Sequence, residues 1–322
     1  MADPSATDSG PPPLGHLVRM RALKPSELPP HSDFGPQQSS GTAPDLLSFV
    51  SEVLDEANTF MTAYLPRTFK VKSSTKSSSP STASVELLSH DINGGDINKV
   101  APTVASGRTA ETWFARTSVH ENAARQGTAS WDEFEGGLRV EHSRHEMDYT
   151  PDVYDAHEVL SWDSHLEQMT EGRRLGAWED VSACVMEMVH HIPPPLDDRV
   201  FPVMVITARK TEPVQEFIVV QIPVDTTDMP SAKYKSRGGK VTTGMYVSIE
   251  RGELIEGGAK VKWQMATASD AKGNLPMALQ KMGVPGAVVK DVGLFIDWCA
   301  KRRVDKASSG DQMHSGEDTQ QP

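Results

Sequence analysis

Four histidines offer the most direct route to metal chemistry in this 322-residue chain: His142, His145, His190 and His191. His142 and His145 lie three apart, a spacing that lets both share one helical face, with Glu141 and Glu146 adjacent. A metal ion needs ligands that converge at fixed geometry, and no second cluster of recognised spacing accompanies them. Surface histidines are the commoner case, so no metal ligand is assigned. Nucleophilic chemistry finds less support still. There is no GxSxG elbow, and Cys184 and Cys299 form neither a CxxC pair nor a disulfide framework. Neither cysteine stands in a context that would depress a thiol pKa. Acid–base work by two carboxylates that are distant in sequence but meet in a pocket stays open. The residues themselves assign no catalytic group and no cofactor.

Charge narrows the partners. Lys plus Arg number 32 against 44 Asp plus Glu, a formal net charge of −12. Nonspecific nucleic-acid binding draws on positive surface that displaces counterions, so no nucleic-acid partner is expected. Two unpaired cysteines fit a reducing compartment. "MADPSATDSGPPPLGHLVRM" has no apolar core of signal-peptide length, and no apolar run is long enough to span a bilayer. The expectation is a cytoplasmic protein.

Any site must be positioned by the elements between these residues. Residues 1–41 are rich in Pro, Ser and Gly and read as a disordered segment. "APDLLSFVSEVLDEANTFMTAYLP" then repeats Leu46, Val50, Val53, Leu54, Ala57, Phe60, Met61 and Tyr64 at helical spacing, ending at Pro66. "KSSTKSSSPSTAS", residues 72–84, reads as a mobile polar loop within a hairpin. "SVELLSHDI" and "TWFARTSVHE" read as strands, and Ser130 with Glu133 stands at capping-box spacing before a helix shortened by Gly136 and Gly137. Five further strands follow, in "SACVMEMVHHI", "RVFPVMVITARK", "EFIVVQIPV", "TTGMYVSIERGEL" and "KVKWQMATAS", joined by hairpin-length turns. They make an antiparallel meander, and no glycine-rich phosphate loop follows any of them. "LPMALQKMGVPGAVVKDVGLFIDWCAKRR" closes the domain as a helix. Its apolar stripe is Leu279, Met282, Val289, Val292, Phe295 and Cys299, and "GVPG" breaks its middle. Residues 304–322 read as a disordered tail.

This order of elements resembles the START (StAR-related lipid-transfer) superfamily. "DDRVF" resembles the opening of a central START strand, and "VDTTDMP" the proline-ended segment after the next strand. "VKWQMATASDAKGNLP" is similar to the last strand, Lys-Gly turn and Leu-Pro helix start of those domains. The chain also looks like a fungal branch of START-like proteins of unknown function, with "GTASWDEF", "HSRHEMDYTPDVYDAHEVL" and "MATASDAKGNLP" as the matching blocks. The resemblance implies an α+β helix-grip fold over residues 42–303: a curved antiparallel sheet around a long C-terminal helix, with an internal hydrophobic cavity. It implies a lipid or other hydrophobic small molecule as partner, bound for intracellular transfer or sensing, with transient membrane contact and without chemistry.

On that plan the cavity wall draws on Met186 and Met188, Val203 and Val205, Phe217 and Val219, Met245 and Val247, and Trp263 and Met265 from the strands. Met282, Val289 and Val292 come from the terminal helix. Core filling explains each methionine singly; together, flexible thioethers suit long apolar ligands. Where some sterol-binding START domains place a buried acid and arginine, this chain holds Met186 and Val205, with Glu187 and Arg209 near enough in sequence to substitute. Two other functions stay in view: a cyclase-like START-fold enzyme, which a convergent polar cluster in the cavity would favour, and a ligand-free adaptor for protein partners.

Overall fold

The computed structural model describes residues 10–34, 43–101, 110–194, 196–234, 241–272 and 277–314, with side chains described for 283–308 in the last stretch. Ten strands form one sheet: β1 (Lys70–Lys76), β2 (Val85–Asn93), β3 (Ala110–Glu121), β4 (Val153–Ser161), β5 (Glu179–His190), β6 (Asp198–Lys210), β7 (Glu216–Pro223), β8 (Val241–Thr243), β9 (Met245–Ile255) and β10 (Lys260–Asp270). Their order is β1-β2-β3-β10-β9-β7-β6-β5-β4, antiparallel throughout, with the short β8 added parallel to β6. The sheet is curved and the chain ends in a long helix, the α+β arrangement expected.

Both faces of the sheet are covered, which explains why β5, β6 and β7 carry almost no polar alternation. The convex face packs on helix α1 (Leu46–Thr59), started by Asp45, whose carboxylate accepts the Ser48 N–H at 2.9 Å. Leu46, Phe49, Val50, Val53, Leu54 and Ala57 are buried there. A π-turn (Phe60–Tyr64) and α2 (Leu65–Thr68) continue it to Phe69.

The same face also holds residues 10–34, against the expectation of disorder. Leu23 bridges Val224 beyond the end of β7, and buried Arg19 pairs with buried Glu111 at 3.0 Å. Glu111 also accepts from Met20 N–H and Trp113 Nε1, both at 2.9 Å. Composition suggested a loose segment, but a few well-spaced anchors suffice to dock it.

The concave face carries the second core. Three helices approach it: α4 (Trp131–Leu138), α5 (His142–Tyr149) and the terminal α7 (Met277–His314); α3 (Gly94–Val100) and α6 (Asp163–Met169) lie elsewhere. The capping box at the start of α4 forms as its spacing predicts, with Ser130 N–H donating to Glu133 at 2.8 Å and Glu133 N–H to Ser130 Oγ at 3.3 Å. Gly137 is needed there for close approach: a Cβ would lie 2.7 Å from the Trp298 ring of α7.

Two boundaries differ from the sequence reading. Residues 72–76 of the expected polar loop belong to strand β1, and the turn after it presses on α7. Ser78 Oγ accepts the Gly293 N–H at 2.8 Å, and a Cβ on Gly293 would stand 2.4 Å from the Ser79 carbonyl oxygen. At the other end, α7 continues past residue 303, the expected end of the domain, to His314.

Candidate functional site

Side-chain alternation decides which expected wall residues meet. Met186, Met188, Val203, Val205, Phe217, Val219, Trp263 and Met265 all face the concave side and join Val289 and Val292 of α7 in one apolar cluster. Met245 and Val247 do not. They pack on the convex face beside Ile249, so the inward residues of β9 are Tyr246, Ser248 and Glu250 instead. The strand is offset by one residue from the expected register, which moves every side chain across the sheet. The side chain of Met282 and residues Gly273 to Pro276 lie outside the described residues.

One part of this face is solid. Trp263 sits 5.5 Å from Phe134 and 5.2 Å from Phe295, ring centre to ring centre, and Phe134 lies 5.3 Å from Phe295. Toward β4, β5 and β6 the packing opens into a cleft of about 520 Å³. Met186, Val205, Cys184 and Ala156 make its apolar floor, and Arg139, Val140, Ser143 and Arg144 from the α4–α5 region its rim. That volume falls in the range of small-molecule pockets.

Between α5, β9 and α7 lies a polar cluster of Glu146, Tyr149, Tyr246 and Asp291, each half-buried and each with desolvation as the largest influence on its proton affinity. Arg116 and Glu250 complete it. The Arg116 guanidinium donates to Glu250 at 3.0 Å and lies 3.9 Å over the Trp263 ring, and Trp263 Nε1 donates to the same carboxylate at 2.8 Å.

Glu187 and Arg209, the expected polar handles, take no part in it. Glu187 faces the other side and accepts from Thr226 and from the Lys233 and Tyr234 backbone, while Arg209 pairs with Asp180 at 2.7 Å.

Desolvation dominates the electrostatics of this polar cluster. It raises Asp291 to about 7, with Glu146 and Glu250 adding and Arg116 opposing. It raises Glu146 as well, His142 opposing and Glu250 adding. Tyr149 and Tyr246 are held well above the usual phenol range by burial and the same carboxylates. Burial pushes the Cys184 thiol up, and that of Cys299 up to about 12, so neither is an activated nucleophile.

The four histidines of the metal reading separate. His142 Nδ1 donates to the Leu138 carbonyl at 2.6 Å, and the His145 ring packs tilted against Trp298, ring centres 5.0 Å apart. His190 packs edge-on to Phe201, half-buried and lowered to about 4 by desolvation, and His191 pairs with Asp198 at 3.0 Å. Among the described residues a different triad, His16, Glu52 and Glu56, gathers on the surface. Glu56 there already accepts the N–H groups of His16, Leu17 and Val18, which fastens the N-terminal segment.

The concave wall can be set against known proteins. Residues 113–299, from the start of this wall to its last helix, match the model of a family described as "Protein of unknown function (DUF3074)". The chain belongs to that DUF3074 family. In fold the domain is START-like. Human STARD10 superposes with a TM-score of 0.50 at 12% identity, covering 79% of this chain and 82% of that one. Human StAR-related lipid transfer protein 5 gives a TM-score of 0.50 at 10% identity, covering 79% and 96%. No curated protein matches in sequence. For this DUF3074 member, no helix among the described residues is long and apolar enough to cross a membrane.

These polar residues were not anticipated. Their one sequence signal is a charge that interrupts an apolar run: Arg116 in "TWFARTSV", Glu250 after "YVSI" and Asp291 before "VGLF".

Proposed function

We propose that this chain binds a lipid or another hydrophobic small molecule in the space between the concave sheet face and α7, and carries or senses it without a chemical step. The observation that carries the proposal is the cleft of about 520 Å³ on the concave face, a volume in the range of small-molecule pockets. Met186 and Val205 line it, and Met265 and Val289 belong to the same apolar cluster. His142 borders the cleft and stands 3.5 Å from Glu146, so the polar cluster of Asp291, Glu146, Tyr149 and Tyr246 adjoins it. Cleft and cluster together are the proposed binding space, the hollow. Likeness in fold to a protein named for lipid transfer supports the same reading.

Exposed Val140 and the arginines at the cleft rim suit transient contact with a membrane surface, and the net charge of −12 argues against nucleic acid. Free Cys184 and Cys299 fit a cytoplasmic setting.

Native mass spectrometry of the purified chain, followed by solvent extraction, tests the proposal. A discrete added mass that extraction identifies as an amphiphile is the expected result. A chain that purifies empty and takes up no dodecanol on titration would overturn it.

One observation favours a second reading. Asp291, Glu146 and Tyr149 surround one space with raised proton affinities, as an acid–base site would require. That reading requires the extracted molecule to be converted on incubation, and conversion to stop in Asp291→Asn. An unchanged molecule leaves binding as the function.

A further inference from the structure

We propose that the turn between β1 and β2 is a stop that limits how far α7 opens, with Ser78 as its catch and Gly293 as its seat. The proposal goes beyond the binding reading above and stands without any ligand.

The serine-rich stretch that holds this turn takes no part in the cleft, yet one of its side chains bonds the backbone of α7. Ser78 is buried, and its hydroxyl is engaged on both sides. It accepts the Gly293 N–H at 2.8 Å and donates to the Lys290 carbonyl at 3.2 Å. Both partners are backbone groups in the middle of a helix, where the helix's own ladder ordinarily uses them. Packing between elements mostly joins side chain to side chain, whereas a hydroxyl that reaches into the ladder holds the helix at one residue. Only glycine admits the contact. A Cβ at position 293 would stand 2.4 Å from the Ser79 carbonyl oxygen and 2.9 Å from that of Ser78. Gly293 is the one glycine between Ala287 and Val304, so no neighbouring turn of the helix fits the same seat.

The turn is itself braced. Thr82 donates to the Gly127 carbonyl through its N–H at 2.9 Å and through Oγ1 at 3.1 Å. The carbonyl of the next residue, Thr128, accepts from Arg303 of α7 at 3.1 Å. Turn and loop thus hold the helix on both sides of Phe295. Before the catch, Gly283 and Gly286 have nothing within contact range, and Pro285 lies inside the helix. Val289, part of the apolar wall, belongs to that loose side. Opening of α7 therefore frees Val289 and ends at Gly293.

Burial of Phe295, Ile296 and Cys299 would hold the same half without any catch, and hydrogen exchange of the full chain without ligand separates the two causes. Ser78→Ala leaves those three side chains untouched. Peptides covering 294–299, beyond the Gly293 N–H itself, should exchange about tenfold faster in this variant, while amides around Val219 keep their protection. Gly293→Ala, which forces the turn away, should give the same loss and should also expose the Thr82 amide. Ser77→Ala, a change at an exposed neighbour, should alter nothing. Where Gly293→Ala fails to fold, Ser78→Ala decides alone. Unchanged exchange over 294–299 in Ser78→Ala would assign the boundary to core burial and overturn the catch. A loss shared equally with Val219 would make Ser78 an ordinary stabilising contact and overturn it as well.

Discussion

Val205 stands on the floor of the cleft, where added volume should meet space rather than packed atoms. Val205→Trp is therefore expected to block uptake of a fluorescent acyl probe while the melting temperature barely moves. In a filled core the same change would cost about 1–3 kcal/mol through overpacking. Melting several degrees lower with uptake intact would place Val205 in solid core. Asp291 makes a second single-residue case, read through pH. Its folded value of about 7 lies above the unfolded value of roughly 3.9, so the folded state holds the proton more tightly. Stability from this group is full below the unfolded value and is lost as pH rises through about 7. Asp291→Asn, which imitates the protonated acid, should match the parent near about pH 4 and exceed it by roughly 1–3 kcal/mol near about pH 8. Buried His120 and half-buried His190 act in the opposite sense. Desolvation lowers them to about 3 and about 4, so their unfolded forms take up protons first and stability falls as pH drops below roughly 6.5. Denaturant titrations across this range check both signs; a parent and Asp291→Asn that run parallel at every pH would mean that the acid is solvated like any surface carboxylate.

At the scale of the element, α7 is two helices in behaviour. Its second half is fixed where the Ser78–Ser79 turn presses on Gly293 and where Phe295, Ile296 and Cys299 are buried. Its first half carries Gly283, Pro285 and Gly286, and the two glycines have nothing within contact range. A glycine inside a helix costs about 1 kcal/mol and a proline about 3, so this half opens more easily than the other. Amides from Leu279 to Val292 should exchange quickly in the empty protein and slowly with a bound amphiphile, while those around Val219 in β7 stay protected in both states. Equal protection with and without ligand would leave Pro285 a packing kink. The helix and the meander were readable from apolar runs and turn residues, because those patterns are local. The faces were readable only in part. With α1 and residues 10–34 covering the convex side, strands β5 to β7 are apolar on both sides and lose the alternation that sets a register. Met245 and Val247 lie on β9, which does alternate, but its apolar side meets the convex layer and its polar side, Tyr246, Ser248 and Glu250, faces inward. Residues 10–34 escaped notice because Arg19, Leu23 and Leu28 dock individually, without periodicity. The wall of the hollow was least visible: Arg116, Glu146, Glu250 and Asp291 come from four elements, and only the folded chain brings them together.

Taken whole, the molecule is a sheet between two unlike layers, one packed solid and one enclosing space. The solid layer depends on the N-terminal segment. Arg19→Ala leaves Glu111 buried without its cation, a loss of about 3–5 kcal/mol for a buried pair broken on one side. The denaturation midpoint should fall accordingly; an unchanged midpoint would mean that the segment is undocked in solution. The layer around α7 has a consequence of another kind, set by volume rather than by contacts. The proposed binding space leaves the folded chain less densely packed than its water-filled unfolded form, so the unfolded chain is the smaller of the two by about 20–100 mL/mol, more where voids are larger. Hydrostatic pressure therefore acts on the hollow selectively. The unoccupied chain should yield at a pressure that the occupied one withstands, and it should yield first along the face that Asp291 and Glu146 share.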